Sequence, residues 1–409
     1  MNEAPARRIA PPAFLHDPGL RAVLGALPDA RVVGGAVRDG LLGYDVADID
    51  LATRQPPEAV TRALQIAGIR VIPTGLDHGT VTALVGARGI EITTLRRDIE
   101  TDGRHAVVAF TDDWRADAAR RDFTINALSM APDGSVFDYF DGLSDLRDHR
   151  VRFVGDPARR IAEDYLRVLR FFRFFARYGR ERPDAVTLAA LRDGVAGLGG
   201  LSVERVWSEL KRILMTPDPS AAVALMAELG VLAAALPEGA DPTALAALVA
   251  SGAPVDPLLR LAALLTGDAD VLADRLRLAN DERARLSALR SGPVPRPPDD
   301  DDALRRMLAD NDRTILIDRA WLAGGSQPDW ERLRERIAAL PLPVFPLEGR
   351  DVLALGLAPG PRVGALLRST RHWWLQRGCT PERAACLAEL ARQASGLSSG
   401  DDWAERVQC

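Results

Sequence analysis

The chain has 409 residues, 47% of them apolar, and a formal net charge of −5, enough to bury a large core and to divide into two or more domains. That charge balance excludes a protein that coats nucleic acid indiscriminately, because such binding needs broad phosphate neutralisation, so any contact with RNA must be local. No apolar run approaches the length that spans a bilayer, and residues 1–15 lack a continuous hydrophobic segment of the signal-peptide kind, so no membrane partner is expected and the cytoplasm is the expected compartment.

Residues up to 28 read as a lead-in with a short helix. The stretch 31–53, RVVGGAVRDGLLGYDVADIDLAT, is the centre around which the other segments are organised: a β-branched run (Val32, Val33), a Gly34-Gly35 turn, a short helix that stops at Gly43, and a strand carrying Asp48 and Asp50. Side chains two apart on a strand share a face, so the two carboxylates lie side by side and repel unless a cation sits with them. Hard oxygen ligands of this kind suit Mg²⁺. The glycines let backbone approach a ligand, the N–H groups opening the next helix favour an anion, and Arg38 lies one turn further along, placed for phosphate. Carboxylates for a metal beside a phosphate cradle point to a nucleoside triphosphate.

An amphipathic helix over 56–67 precedes strand-like runs at 69–73, 80–85 and 90–95, the last two joined across residues 86–89 as a hairpin. This is a helix beside a mixed or antiparallel sheet. In IEITTL, Glu91 alternates away from Ile90 and Ile92, so it is the candidate third carboxylate. Residues 96–113 are polar and short of core positions and read as a mobile loop. The block DAARRDFTINAL at 117–128 comes next, and beyond it the chain turns helical. Asp156-Pro157 is a good start signal, and RRIAEDYLRVLRFFRFFARYG reads as one helix running to Gly179, with Asp164 and Arg167 as an i,i+3 pair.

From 201 onward the pattern is helical, with Pro-rich breaks at 292–302 and 340–349. The loop at 359–364 opens a further helix, and His372, Trp373 and Trp374 read as core packing. Cys379, Cys386 and Cys409 lack metal-ligand spacing and read as reduced thiols. Lys211 is the sole lysine; arginine favours forked contacts to phosphate and base edges, although a GC-rich genome accounts for the larger share of the bias.

Together, GGAVRD…DIDLAT, HGTV, EITTLRRD, RRDFTINAL and EDYLRVLRFFR resemble the class II branch of the polymerase β-type nucleotidyltransferases, the tRNA CCA-adding enzymes and bacterial poly(A) polymerases. The resemblance covers nearly the whole chain and is most specific in the head. It implies an α+β fold, with a nucleotidyltransferase head over 1–145, a helical neck over 146–240, a body over 241–345 and a tRNA-binding tail over 346–409. It further implies Asp48 and Asp50 as ligands of Mg²⁺, Glu91 as their partner, and Gly34, Gly35, Arg38 and Arg121 around the triphosphate. Asn126 would face the ribose, and Asp164, Arg167, Arg170 and Arg173 would belong to the nucleobase motif. The implied reaction is addition of CMP, CMP and AMP to tRNA from CTP and ATP, with no DNA substrate. Poly(A), CC-only or A-only addition shares the head motifs, and a silent tRNA-binding module is the alternative from another class. With His372 alone among histidines in the C-terminal half, an added phosphohydrolase activity is not expected.

Overall fold

The computed structural model describes residues 3–46, 48–86, 88–101 and 106–397. The strands are β1 Arg7–Arg8, β2 Arg31–Val33, β3 Asp50–Thr53, β4 Arg70–Gly75, β5 Thr80–Val85, β6 Arg88–Thr94, β7 Arg96–Thr101, β8 Ala106–Phe110, β9 Ser129–Met130 and β10 Ser135–Phe137. Eight of them form one sheet in the order β1-β10-β9-β2-β3-β6-β5-β4. The pairing of β3 with β6 is parallel, and the others are antiparallel.

Helices α1 Pro18–Ala26, α2 Gly35–Leu41 and α3 Pro57–Ile66 accompany the sheet. Asp17 caps α1 by accepting from the Leu20 N–H at 2.8 Å, satisfying one of the orphan donors of the first turn. Leu20, Val23 and Leu27 of this segment meet Val32, Leu51, Leu64, Ile90 and Ile92 in the head core. In β6 the alternation holds: Ile90 and Ile92 are buried and Glu91 is exposed.

Residues 96–113 differ from the expected loop. β7 and β8 pair antiparallel as a separate two-stranded sheet; β-branched and small residues in AVVAF supply a strand whose partner is the polar RRDIET, and a ribbon this thin needs few core positions. Residues 102–105 lie outside the described residues, as do Ala87 of the expected hairpin turn and Cys409.

Next come α4 Trp114–Ala119, α5 Gly142–Arg147, α6 Pro157–Glu163, α7 Leu166–Tyr178, α8 Ala185–Asp193, α9 Val203–Leu214, α10 Ser220–Glu228 and α11 Val231–Ala235. The expected single helix over 157–179 is therefore two helices. Asp164 takes an extended conformation (φ −157°, ψ 107°), and its Oδ1 accepts from the Leu166 N–H at 3.0 Å. An aspartate carboxylate competes for backbone N–H groups and so favours a helix end over a helix interior.

The apolar face of α7 closes an aromatic cluster. Phe123 lies 4.9 Å from Phe153 and 5.0 Å from Phe174, while Phe153 stacks on Phe171 at 5.6 Å. Residues 1–242 with 275–277 form one compact unit, and 243–274 with 278–409 the other. The second unit contains α12 Pro242–Ala250, α13 Pro257–Leu264, α14 Ala269–Leu276, α15 Asn280–Arg290, α16 Asp301–Leu308, α17 Arg313–Gly324, α18 Pro328–Ala339, α19 Gly349–Leu353, α20 Pro361–Gln376 and α21 Arg383–Leu397, except that Pro242 and residues 275–277 belong to the first. There Trp374 is buried with Cys386 and Leu390, whereas His372 is on the surface beside Gln376. Cys379 and Cys386 are free thiols. Among the described residues no helix is long and apolar enough to cross a membrane.

Phe171 has no exposed surface and touches four other rings. Phe171→Ala is expected to destabilise the first unit by about 3–5 kcal/mol, the range for a large buried aromatic, as measured by the shift of its urea unfolding midpoint; a shift worth less than about 1 kcal/mol would mean that the cluster does not hold α7 in place.

Candidate active site

The Gly34-Gly35 turn joins β2 to α2. Gly34 has φ 69° and ψ −126°, a conformation that a side chain makes costly. Its N–H donates to the Leu128 carbonyl at 3.1 Å. A side chain here would also lack room, because its first carbon would lie 2.8 Å from Arg121 Nη1. The Arg121 guanidinium therefore rests against the backbone at the head of α2.

Asp50 opens β3 and is paired in register with Val33 on one side and Glu91 on the other. Register partners on neighbouring strands project to the same face, so the two carboxylates sit abreast. Asp48 lies just before the strand instead of within it, with Ile49 buried between the two exposed acids. Desolvation by the surrounding protein holds the Asp50 carboxyl above its usual range; Glu91 and Asp48 push it the same way and Arg121 opposes them. Among the described residues no three acids, histidines or cysteines close a cage around one point. The donors nevertheless fit a hard cation: they are carboxylate oxygens whose mutual repulsion a positive charge would relieve, and an octahedral ion that keeps waters and substrate oxygens does not need a closed protein cage.

Arg121 is set by its neighbours. Its Nη2 is 3.5 Å from Asp117 Oδ2, and its Nη1 donates to the Asn126 carbonyl at 3.4 Å. Burial pulls the guanidinium below its usual value, while Asp117 pushes it up; Arg120 lowers it, and Asp122 and Asp50 raise it. Asp117 is itself buried, which disfavours its charge, but Arg120 and Arg121 keep its carboxyl below the ordinary range. The residue pattern did not single out Asp117, although its place four residues before Arg121 on a helix is a usable signal.

Arg38 has a different place from the one expected. It is buried, forks onto Asp39 through Nε and Nη2 at 2.9 Å each, donates to Asn126 Oδ1 and lies 4.3 Å from the Tyr178 ring centroid. Asn126 is equally committed, since its Nδ2 donates to Asp122 Oδ1 at 3.0 Å. Both side chains are brought to the site, but as supports beneath the turn.

The arginines of α7 also meet acceptors of the protein. Arg167 Nη1 bonds to Glu163 and to the Arg160 carbonyl; Arg170 Nε donates to Asp122 Oδ2 at 2.9 Å; Arg173 Nε donates to Glu209 Oε2 at 2.7 Å. Asp122 is buried, which works against its charge, yet Arg170 and the Asn126 hydrogen bond hold its carboxyl below the usual range. Asp164 does not pair with Arg167. Its Oδ2 accepts from Arg205 Nη2 of α9 at 2.8 Å, a partner 41 residues away that no local spacing could have indicated. At the HGTV segment, Gly79 has φ 77° and leaves space for the Phe110 ring, and the Thr80 and Thr93 hydroxyls are 3.0 Å apart.

Residues 30–152 match the model of the poly A polymerase head domain, and residues 182–241 match that of the probable RNA- and SrmB-binding site of polymerase A. A sheet with paired carboxylates abreast of a glycine turn and a largely buried arginine, continued by a helical RNA-binding segment, defines a nucleotidyltransferase acting on RNA 3′ ends. The mitochondrial CCA tRNA nucleotidyltransferase 1 of Danio rerio is 36% identical over 370 residues, 85% of this chain and 83% of that protein. The CCA-adding enzyme of Lacticaseibacillus paracasei is 31% identical over 394 residues, 92% and 96% of the two chains. The structure of the Bacillus stearothermophilus CCA-adding enzyme in complex with CTP superposes with a TM-score of 0.73 at 26% identity, covering 93% of this chain and 99% of that one. The chain belongs to the CCA tRNA nucleotidyltransferase family, whose chemistry uses a divalent metal.

Because the Asp50 carboxyl titrates higher in the folded state than when unfolded, its charge costs stability at neutral pH, and that cost fades as pH falls through the folded and then the unfolded carboxyl range. Asp50→Asn is expected to raise the melting temperature of metal-free protein at neutral pH, by the equivalent of at most about 1 kcal/mol after solvent screening, and to lose the advantage in acid. A variant that melts lower than wild type at neutral pH would contradict a repulsive cluster.

Proposed function

We propose that this chain adds CMP, CMP and AMP, without a nucleic-acid template, to the 3′ end of tRNA, using CTP and ATP and releasing pyrophosphate. The observation that carries the proposal is the alignment of Asp50 with Glu91 across two strands, next to the Arg121 guanidinium seated on Gly34.

Asp48 and Asp50 would hold the metal, with Glu91 orienting Asp50 from the same face. The metal we assign is Mg²⁺, which when bound would supply Lewis acidity and charge neutralisation for the transfer. Gly34 and Gly35 let backbone approach the triphosphate, and Arg121 neutralises it from a low-dielectric seat where a fixed charge acts strongly. Arg38 and Asn126 act as positioning residues under the turn, and Arg170 and Arg173 as positioning residues that fix α7. No protein nucleophile is required.

Base choice falls to Asp164 and Arg167. Cytosine and adenine each present an exocyclic amine next to a ring-nitrogen acceptor, where uracil and guanine present carbonyl oxygens. A carboxylate accepts from the amine and an arginine donates to the ring nitrogen, so one pair admits two bases and rejects two. Asp164 accepts from Leu166 and Arg205, which leaves capacity on a group with about four lone-pair sites. Arg205 thus orients the carboxylate. We divide the chain into a catalytic head over 1–145, a neck over 146–240, a body over 241–345 and a tRNA-binding tail over 346–409. The compartment we assign is the cytoplasm, where thiols such as Cys379 and Cys386 stay reduced.

Incubation of the purified protein with tRNA lacking its 3′ end is expected to extend it by three nucleotides with CTP and ATP together. CTP alone should add two, and ATP alone should add none until the two C residues are in place. A run of A from ATP alone would identify a poly(A) polymerase, and no extension would remove the proposal. Asp164→Arg is expected to shift relative kcat/KM from CTP and ATP toward UTP and GTP by about tenfold or more, since a well-made hydrogen-bonded base contact discriminates by about 1–3 kcal/mol. Arg205→Ala should weaken the same preference while retaining CTP over UTP. Unchanged preference in both variants would mean that the base is read elsewhere.

A further inference from the structure

The end of α6 leaves a carbonyl for a side chain to take. The Asp164 N–H turns back to the Ile161 carbonyl at 3.2 Å, the tighter turn that closes many helices. The Arg160 carbonyl, which a continuing helix would bond to that N–H, is thereby released. Arg167 Nη1 donates to it at 2.7 Å. The same nitrogen donates to Glu163 Oε2, and that oxygen also accepts from Arg160 Nη1. Arg160 therefore meets Arg167 twice, through its own backbone oxygen and through a shared carboxylate. Its other terminal nitrogen reaches the head, where Nη2 donates to the Arg121 carbonyl at 2.7 Å and to that of Arg120. The Arg160 side chain is only 8% exposed, so these bonds form away from solvent. Both hydrogens of Arg167 Nη1 are spent in this way, whereas among the described residues its Nε and Nη2 meet no acceptor of the protein.

We infer that Arg160 is a positioning residue for base selection: it sets the Arg167 guanidinium and ties it to the backbone of Arg121, a deepening that rests on Asp164 and Arg167 reading the base edge. An arginine selects at a ring nitrogen only where its N–H directions are fixed. Cytosine N3 and adenine N1 accept such a donor, whereas uracil N3 and guanine N1 carry hydrogens of their own and clash with it. A guanidinium is a rigid planar fork, so holding Nη1 at two acceptors fixes the plane and aims Nε and Nη2. Without the Arg160 guanidinium, Glu163 keeps Arg167 as a partner but loses the donor that fixes its own place, and Arg167 follows it. One side chain holds both the Arg121 backbone and that carboxylate, so the phosphate end and the base end of a nucleotide are referred to one frame. Asp164 lies outside this set, since its carboxylate accepts from Leu166 and Arg205.

The test uses the full chain and tRNA lacking its 3′ end, with CTP and UTP competing in one mixture so that the fraction of active enzyme cancels. Arg160→Gln is expected to lower the CTP-over-UTP ratio of kcat/KM about fivefold, a part of the roughly tenfold or more that the base contact itself is worth. Glu163→Gln leaves the buried guanidinium of Arg160 in place and is expected to have the same effect, which keeps the test open should Arg160→Gln melt early. In the Arg167→Ala background neither substitution should lower the ratio further, because Arg160 and Glu163 act through Arg167. A role in folding alone lowers activity on every nucleotide and leaves the ratio at its wild-type value. That result in either folded variant overturns the inference, as does a further loss in the Arg167→Ala background. Arg167→Ala by itself tests the underlying reading: a wild-type ratio there means that the edge is read elsewhere and both ideas fall. A lowered ratio there, with wild-type ratios in Arg160→Gln and Glu163→Gln, leaves the reading standing and removes Arg160 from it.

Discussion

One buried carboxylate ties the head to α7. Asp122 accepts from Arg170 on α7, from the Asn126 amide and from the Phe123 N–H. Asn126 in turn accepts from Arg38, which lies under the Gly34-Gly35 turn. The chain of bonds runs from α7 through the RRD segment to the glycine turn without leaving protein. Charges buried this way are costly unless every partner is supplied, and here the partners come from separate stretches of sequence. The reward of such a network is specificity of arrangement more than stability.

A pattern of indirect use recurs across the arginines. Arg170 and Arg173 lie one turn apart on α7, yet each meets an acid from a different element, Asp122 of the head and Glu209 of α9. Arg38 is likewise occupied by Asp39. Arg121 stands apart because its surroundings include Asp50 as well as its supports Asp117 and Asn126. The positive charges near the site thus divide into Arg121, which faces Asp50, and several that hold scaffolding in place.

Much of this was legible in the residues. The strand–glycine–helix passage at 31–43, the alternation that exposes Glu91, and the helical remainder all come from local period and turn chemistry, and the sheet and helices have that order. What local pattern could not carry is pairing over distance. The register that puts Asp50 beside Glu91 depends on a parallel pairing of strands distant in sequence, and Arg205 reaches Asp164 from another helix. The continuous helix expected over 157–179 fails at Asp164 because apolar spacing survives a two-residue break while a capping carboxylate decides where the backbone turns. Likewise, the β7–β8 ribbon reads as a loop in sequence because a two-stranded ribbon needs no core residues to announce it.

The absent side chain at position 34 has a consequence for descent. The space that a Cβ would take there is occupied by the Arg121 guanidinium, 2.8 Å away, so the two positions behave as one inherited trait. A lineage that acquires even alanine at 34 must also shorten or redirect residue 121, and one that loses the arginine frees its glycine to drift only as far as the positive φ permits. Substitutions at these two sites should therefore enter and persist together, though a long stretch of chain, with strands, helices and a ribbon of its own, separates the partners.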